Sequence, residues 1–407
     1  MSNIINPSKY LGNELDYLKK VLDGESWSAT GGNWTQSLER EFAKRFGAKY
    51  AVAFNSGTST LHAALIAAGV EPGDEVISPA LTVIMDTTAT FHANAVPVYA
   101  DINPDTFNID PVDIARKITS KTKAVIPVSI YGLPPDMDPI MELAKKHNLV
   151  VIEDNAQSVL TTYKGRMMGT IGHMASYSFE NTKHISCGEG GMIITNNEKY
   201  AEMVRKVGGH GFKNLRAEEG RIRLNQDIFQ NPDYKRHDVL GWNYRLSEFN
   251  SAVALAQLEN VVTLVNLRIK SAEIFMDAMS ACNYLIPQEV TEGYINSYYT
   301  LGVIYEGQER VGISWEDFRK AYIQEGGDGI YGAWSVPYLE PVVADRKFIT
   351  QCPWVYKDVY YYEGLCPLAE RVQKKLMQFK TNYRDIKLAE KKAAALRKVI
   401  RKFSNKK

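Results

Sequence analysis

Several things are scarce in these 407 residues, and each absence narrows the reading. There are four cysteines, Cys187, Cys282, Cys352 and Cys366, without paired spacing, which excludes a disulfide framework and a cysteine zinc site. The seven histidines are scattered, with no H-E-x-x-H or similar pair, so no metal site is expected. No apolar run approaches the roughly 20 residues of a membrane span. The opening "MSNIINPSKYLGNELDYLKK" lacks the apolar core of a signal peptide, so a reduced, cytoplasmic protein is expected. Excess charge of one sign is also missing. With 48 basic and 47 acidic residues the net charge is +1, which gives no bias toward nucleic acid or an anionic membrane. The basic tail "ALRKVIRKFSNKK" is a local exception and reads as a solvated helix end.

What is present is an ordinary globular composition, 45% apolar and 23% charged, long enough for two domains. From residue 50 the pattern is strand, turn, helix, repeated. "YAVAF", "DEVISPA", "VPVYADI", "TKAVIPVSIYG" and "LVVIEDN" read as strands, with helices over "TLHAALIAAG", "MDTTATFHANA" and "DPIMELAKKHN". Leu61, Ala64, Leu65 and Ala68 share one helical face, and Gly69 stands where that helix stops. Strands apolar on both faces, alternating with helices, predict an α/β fold with a mostly parallel sheet covered on both sides. The G-x-G-x-x-G dinucleotide fingerprint is absent, and "GEGG" at 188–191 has the wrong spacing. Residues 215–237 are polar and aperiodic, hence a loop or insertion. "LSEFNSAVALAQLENVVTLVNLRIKSAEIFMDAM" predicts one long helix bridging into a smaller C-terminal part, whose last helices fall near 366–380 and 384–403. The expected division is a large domain over 1–250 and a small one over 251–407.

Three stretches lie where parallel strands should end, the usual place for ligands in open α/β sheets. In "NSGTSTLHAAL" a small turn opens a helix. Its free N–H groups suit a phosphate, although taken alone the stretch reads better as an ordinary capped helix with Ser56 or Thr58 as the cap. In "VVIEDNAQS" Asp154 follows four apolar residues directly. Its carboxylate should emerge partly buried and in need of a partner, or else cap the next turn. Glu153 should face elsewhere, and Gln157, three residues on, can reach the same ligand. In "SFENTKHISCGEGGMIIT" Lys183 precedes a cluster of glycines, 29 residues after Asp154 and separated from it by the strand "HMASYSF". If both elements join one sheet, a phosphate turn, a buried acid and a loop lysine meet. That set fits pyridoxal phosphate: lysine for the Schiff base, aspartate to keep the pyridine nitrogen protonated, helix N-terminus for the phosphate.

These stretches, with "GGNWTQSLEREFAKRFGAKYAVAFNSGTSTLHAALIAAGVEPGDEVISPA", "LGWNYRLSEFNSAVALAQL" and "CPLAERV", resemble the DegT/DnrJ/EryC1/StrS sugar aminotransferases over nearly the whole length. The resemblance implies a fold-type I architecture, with a seven-stranded sheet between helices and a mixed C-terminal domain. It implies a Schiff base on Lys183, Asp154 on the pyridine nitrogen, Gln157 on the ring hydroxyl, and Gly57, Thr58 and Ser178 on the phosphate. Asn243, in "GWNYR", would reach the cofactor of a neighbouring subunit, which makes a homodimer part of the mechanism. The implied reaction moves an amino group from L-glutamate to a keto sugar, most simply a nucleotide-linked one. A keto-cyclitol acceptor, a pyridoxamine-phosphate-dependent sugar dehydratase and a silent regulatory protein on the same fold are the alternatives. The dehydratases carry histidine in place of the lysine, which Lys183 argues against. The sequence departs from the family at Val83, where an aromatic ring that stacks on the cofactor is usual, and at His184, where asparagine is common.

Overall fold

Short apolar runs become strands because their side chains can be buried on both sides of a sheet. In the computed structural model, which describes residues 10–24, 33–220, 222 and 224–404, the first five are β1 (Tyr50–Phe54), β2 (Glu75–Pro79), β3 (Val96–Ala100), β4 (Thr122–Val125) and β5 (Val150–Asp154). A small hairpin follows, β6 (Thr162–Tyr163) and β7 (Arg166–Met167), then β8 (Met174–Ser178) and β9 (Gly191–Thr195). Seven of them form one sheet in the order β1-β9-β8-β5-β4-β2-β3. β9 alone runs antiparallel to its neighbours, β1 and β8. The other pairings are parallel, so the expected architecture is the one found. Gly31 and Gly32 of the first motif, the first nine residues and the end of the basic tail lie outside the described residues.

The helix Gly57–Ala67 is buried along Ser59–Leu65 and packs among the sheet and its neighbouring helices, not on one face alone. It ends at Gly69, whose left-handed φ of 74° favours glycine. Beyond residue 280 the chain builds β10 (Leu285–Pro287), β11 (Tyr294–Ile295), β12 (Leu301–Tyr305), β13 (Tyr331–Gly332) and β14 (Leu376–Phe379). β11 extends the β6–β7 hairpin, and the others form an antiparallel sheet in the order β10-β12-β14-β13. Its core joins Phe275, Tyr284, Phe318, Tyr322 and Phe379 to the closing helix Ile386–Ser404.

Three expectations need correction. The long helix is two, Glu248–Glu259 and Val261–Met279, bent by 62° at Asn260. The first packs against Glu14–Leu22 and Trp34–Phe46, and the second against Ile386–Ser404, so the two halves must point in different directions. Asn260 stabilises the break by donating its amide to the Ala256 carbonyl at 3.2 Å. Residues 376–379 form β14, not the end of a helix, because "LMQF" pairs with β12. The 215–237 segment contains a short helix, Gln226–Gln230, and its first residues are anchored: Leu215 and Ala217 are buried. No single helix among the described residues is long and apolar enough to cross a membrane.

Candidate active site

The end of β1 runs into Asn55 and Ser56. Ser56 caps the next helix: its Oγ accepts from Ser59 N at 3.1 Å and its carbonyl from Thr60 N at 3.2 Å. The N–H groups of Gly57 and Thr58, at the very start, have no partner within the helix, and the helix dipole adds positive potential there. Gly57 is pressed against the end of β8. A Cβ on it would lie 2.9 Å from Ser178 Cβ and 3.2 Å from its Oγ. Thr60 Oγ1 meets Ser176 Oγ at 2.6 Å, which ties the helix to the same strand.

At the end of β5, Asp154 is 3% exposed and accepts from Ala156 N at 2.9 Å. Burial pushes its acidity down, raising its pKa, while the Ala156 N–H, the charge of Lys183 and a bond from Asp86 act the other way. Asp86, on the helix Met85–His92, is fully buried. One of its oxygens accepts from Thr82 Oγ1 at 2.8 Å; the other has no donor and the side chain abuts Asp154. Gln157 Oε1 accepts from Tyr131 N at 2.8 Å, which leaves its NH₂ end to donate. Tyr131 and Gly132 hold left-handed backbone, φ 59° and 102°. A Cβ on Gly132 would sit 2.7 Å from Tyr298 N, so this turn is locked under residues 296–298. Glu153 does face the other way, accepting from Ile171 N at 2.9 Å.

Lys183 stands in the loop between β8 and β9, its N–H donating to Glu180 O at 3.0 Å. Its Nζ lies 4.5 Å from the centre of the Tyr299 ring, a cation–π contact, and Tyr299 OH meets Thr182 Oγ1 at 2.8 Å. Below the loop, buried Arg268 donates to Tyr299 O at 2.6 Å, Thr182 O at 2.7 Å and Lys183 O at 3.2 Å. Burial and the nearby Arg384 lower its pKa to about 9, so it stays charged at neutral pH. His184 turns inward, with Nε2 3.0 Å from Ser297 O. Facing a carbonyl, Nε2 must carry the hydrogen, and burial beside Arg268 keeps the ring neutral. Arg384, three residues after Thr381, leaves two buried guanidinium nitrogens unpartnered. Thr381 itself donates to Tyr298 O at 2.7 Å.

The fold therefore gathers Gly57, Thr58, Ser178, Asp154, Gln157 and Lys183 at one end of the sheet. Asn243 lies elsewhere on the β1 edge: its side chain is exposed, its Oδ1 accepts from Arg245 Nε at 3.0 Å, and its carbonyl accepts from Asn55 Nδ2 at 3.4 Å. Four residues that sequence reasoning missed complete the surroundings: Asp86, Arg268, Tyr299 and Arg384. Asp86 and Arg268 carried a signal, a charge set among small or apolar neighbours. An open helix N-terminus, a buried acid without a cationic hydrogen-bond partner and a lysine on a tight loop fit pyridoxal phosphate.

Fold and cluster together are those of the fold-type I pyridoxal-phosphate-dependent aminotransferases. The model of the DegT/DnrJ/EryC1/StrS aminotransferase family matches residues 10–325, and the chain belongs to that family. A GDP-perosamine synthase of Caulobacter vibrioides is 41% identical over 250 residues, 61% of this chain and 62% of that protein, so the match spans less than two thirds of its length. The "pleiotropic regulatory protein" of Geobacillus stearothermophilus is 35% identical over 352 residues, 85% of this chain and 83% of its own. Among solved structures, an aminotransferase from Psychrobacter cryohalolentis superposes with a TM-score of 0.85 at 28% identity, covering 98% of this chain and 99% of that one.

Proposed function

We propose that the protein moves an amino group from L-glutamate to the keto group of a nucleotide-linked deoxysugar, working as a homodimer. The observation that carries this reading is Lys183, held on a braced loop that faces a buried aspartate and an open helix N-terminus. Lys183 Nζ would hold the cofactor covalently. Gly57 and Thr58 N–H groups and Ser178 Oγ would bind its phosphate, Asp154 its ring nitrogen and the Gln157 amide its ring hydroxyl. The bound cofactor supplies the electron sink that makes the donor's α-proton labile. Lys183 Nζ, as a free amine, would take that proton and return it later in the transfer.

The donor reading is supported by Arg384, whose unpartnered guanidinium is suited to a carboxylate. The acceptor reading is supported by the relative named GDP-perosamine synthase. His184 speaks against dehydratase chemistry, because its ring is committed to Ser297 O and buried. Asn243 is exposed on the β1 edge, as a residue offered to a second subunit must be.

The test is a visible spectrum of the cofactor-loaded protein before and after L-glutamate, beside Lys183→Ala. A visible band in the wild type that bleaches with glutamate, and that the variant never forms, is the expected result. A screen of nucleotide-linked keto sugars for amination then identifies the acceptor. A loaded protein that ignores glutamate would refute the donor, and amination of a keto-cyclitol alone would refute the acceptor.

A further inference from the structure

Two carboxylic acids meet at the bottom of the site, and their surroundings are unequal. Asp86 is fully buried, takes one hydrogen bond from Thr82 Oγ1 at one oxygen, leaves the other without a donor, and lies beside Asp154. Asp154 has the Ala156 N–H and the charge of Lys183 on its side. The remaining ionisable neighbour of Asp86 is the buried Tyr99 phenol, held neutral by burial and bonded to Thr87 Oγ1 at 3.0 Å. No ion pair to Asp86 or Asp154 exists among the described residues.

Two carboxylates cannot both be ionised in contact here. Asp86 does sit in the first turn of the helix Met85–His92, where the dipole favours negative charge. That effect is several times weaker than the repulsion between two buried carboxylates at hydrogen-bond range. A bare pair would also leave the second Asp86 oxygen without a donor, a costly state for a buried polar atom. One proton between the acids removes both problems. It belongs on Asp86, because the N–H and the lysine charge stabilise the ionised form of Asp154.

We propose that Asp86 stays protonated and donates its O–H to the Asp154 carboxylate, acting as a positioning residue that keeps Asp154 ionised for the cofactor ring nitrogen. This deepens, and rests on, the reading of Asp154 as the ring-nitrogen partner. The count of protons balances: one on Asp86, one on the ring nitrogen, none on Asp154. A donated hydrogen bond lowers the basicity of Asp154, so the ring proton stays on the ring.

The test compares wild type with Asp86→Asn, Asp86→Ala and Asp154→Asn, with melting curves of each cofactor-free protein to verify folding. The first readout needs no cofactor. Infrared spectra at neutral pH should contain the band of a buried protonated carboxyl in the wild type, and Asp86→Asn should lack it. The second is the dissociation constant for pyridoxal phosphate. Loss of a charge-assisted hydrogen bond in Asp86→Ala should weaken it about 10- to 100-fold. Asp86→Asn, whose amide can donate in the same place, should recover most of that loss, to within about threefold of wild type. Asp154→Asn should show no such recovery. Absence of the band in the wild type, or an Asp86→Asn as impaired as Asp86→Ala, overturns the proposal. If the band and the rescue are both present while Asp154→Asn binds as wild type does, the role given to Asp154 falls and the shared proton stands.

Discussion

Gly191→Ala should disturb the phosphate turn from below. Gly191 sits on β9 between Phe54 on β1 and Ser178 on β8, paired to both. A Cβ there would lie 2.6 Å from the Ser56 carbonyl oxygen, 2.7 Å from its carbon and 2.9 Å from the Tyr177 carbonyl oxygen. All three obstacles are backbone, so no side chain can rotate away. Relief requires β9 to part from one neighbour or Ser56 to rise, and Ser56 caps the helix whose first N–H groups would hold the phosphate. Overpacking of this kind costs about 1–3 kcal/mol, and the upper end is expected because the sheet ties both sides. Gly165→Ala is the control. Unlike Gly191, which lies in a strand, Gly165 is left-handed, φ 77°, and nothing lies within 4 Å of its Cβ, so the change should cost about 1–2 kcal/mol of backbone strain and leave the site alone. Urea denaturation of both cofactor-free variants, followed by cofactor titration, separates the effects. Gly191→Ala should lose stability and weaken cofactor binding by about 10-fold or more; Gly165→Ala should lose stability only. A Gly191→Ala protein that unfolds and binds like wild type would refute the reasoning.

The buried ion pair of Glu39 and Arg205, 2.9 Å apart and about 6% exposed on each side, should make Glu39→Gln cost about 3–5 kcal/mol in denaturant, since it strands a buried guanidinium; the paired change to two apolar residues should recover much of it. His62 is held down to about 4 by burial, against an ordinary 6.5. The unfolded chain therefore takes up a proton that the folded one refuses: stability is full above pH 6.5 and falls, by about 3 kcal/mol from this group, as pH drops toward 4. Buried His184 acts in the same direction, and His62→Asn should flatten part of that limb in a stability-against-pH series. Arg384→Gln should raise the KM for L-glutamate about 10-fold or more while leaving the KM for the acceptor unmoved; equal effects on both would remove Arg384 from the donor's site.

Much of this was legible in the residues. Runs such as "YAVAF" and "VVIED" are apolar at consecutive positions, which suits a sheet buried on both faces. Asp154 stands at the end of such a run and Lys183 four residues past "HMASYSF", so their placement near strand ends followed from local pattern. The break at Asn260 was not legible, because both halves are good helix and the bend comes from their separate packing partners. β14 was hidden for a related reason: "LMQF" is ambiguous alone and becomes a strand through pairing with β12. Asp86 and Arg384 matter through what faces them across the fold. Tyr299 lies in an aromatic stretch, "INSYYTLGVIYE", and its contact with Lys183 is what sets it apart from Tyr298.

The brace under the lysine also sets an order in time. Arg268 donates to the carbonyl of Lys183, 85 residues earlier in the chain, and to that of Tyr299, 31 residues later. On the ribosome the lysine loop emerges well before either partner. β1 to β8 are made by then, yet the loop carbonyls still lack the guanidinium that joins them, and the ring beneath Nζ is still to come. A nascent chain released short of residue 299 would carry the lysine, the aspartate and the phosphate turn without the clamp that sets the lysine's reach. Cofactor capture in its final geometry thus belongs late in synthesis, after nearly three quarters of the polypeptide has been made.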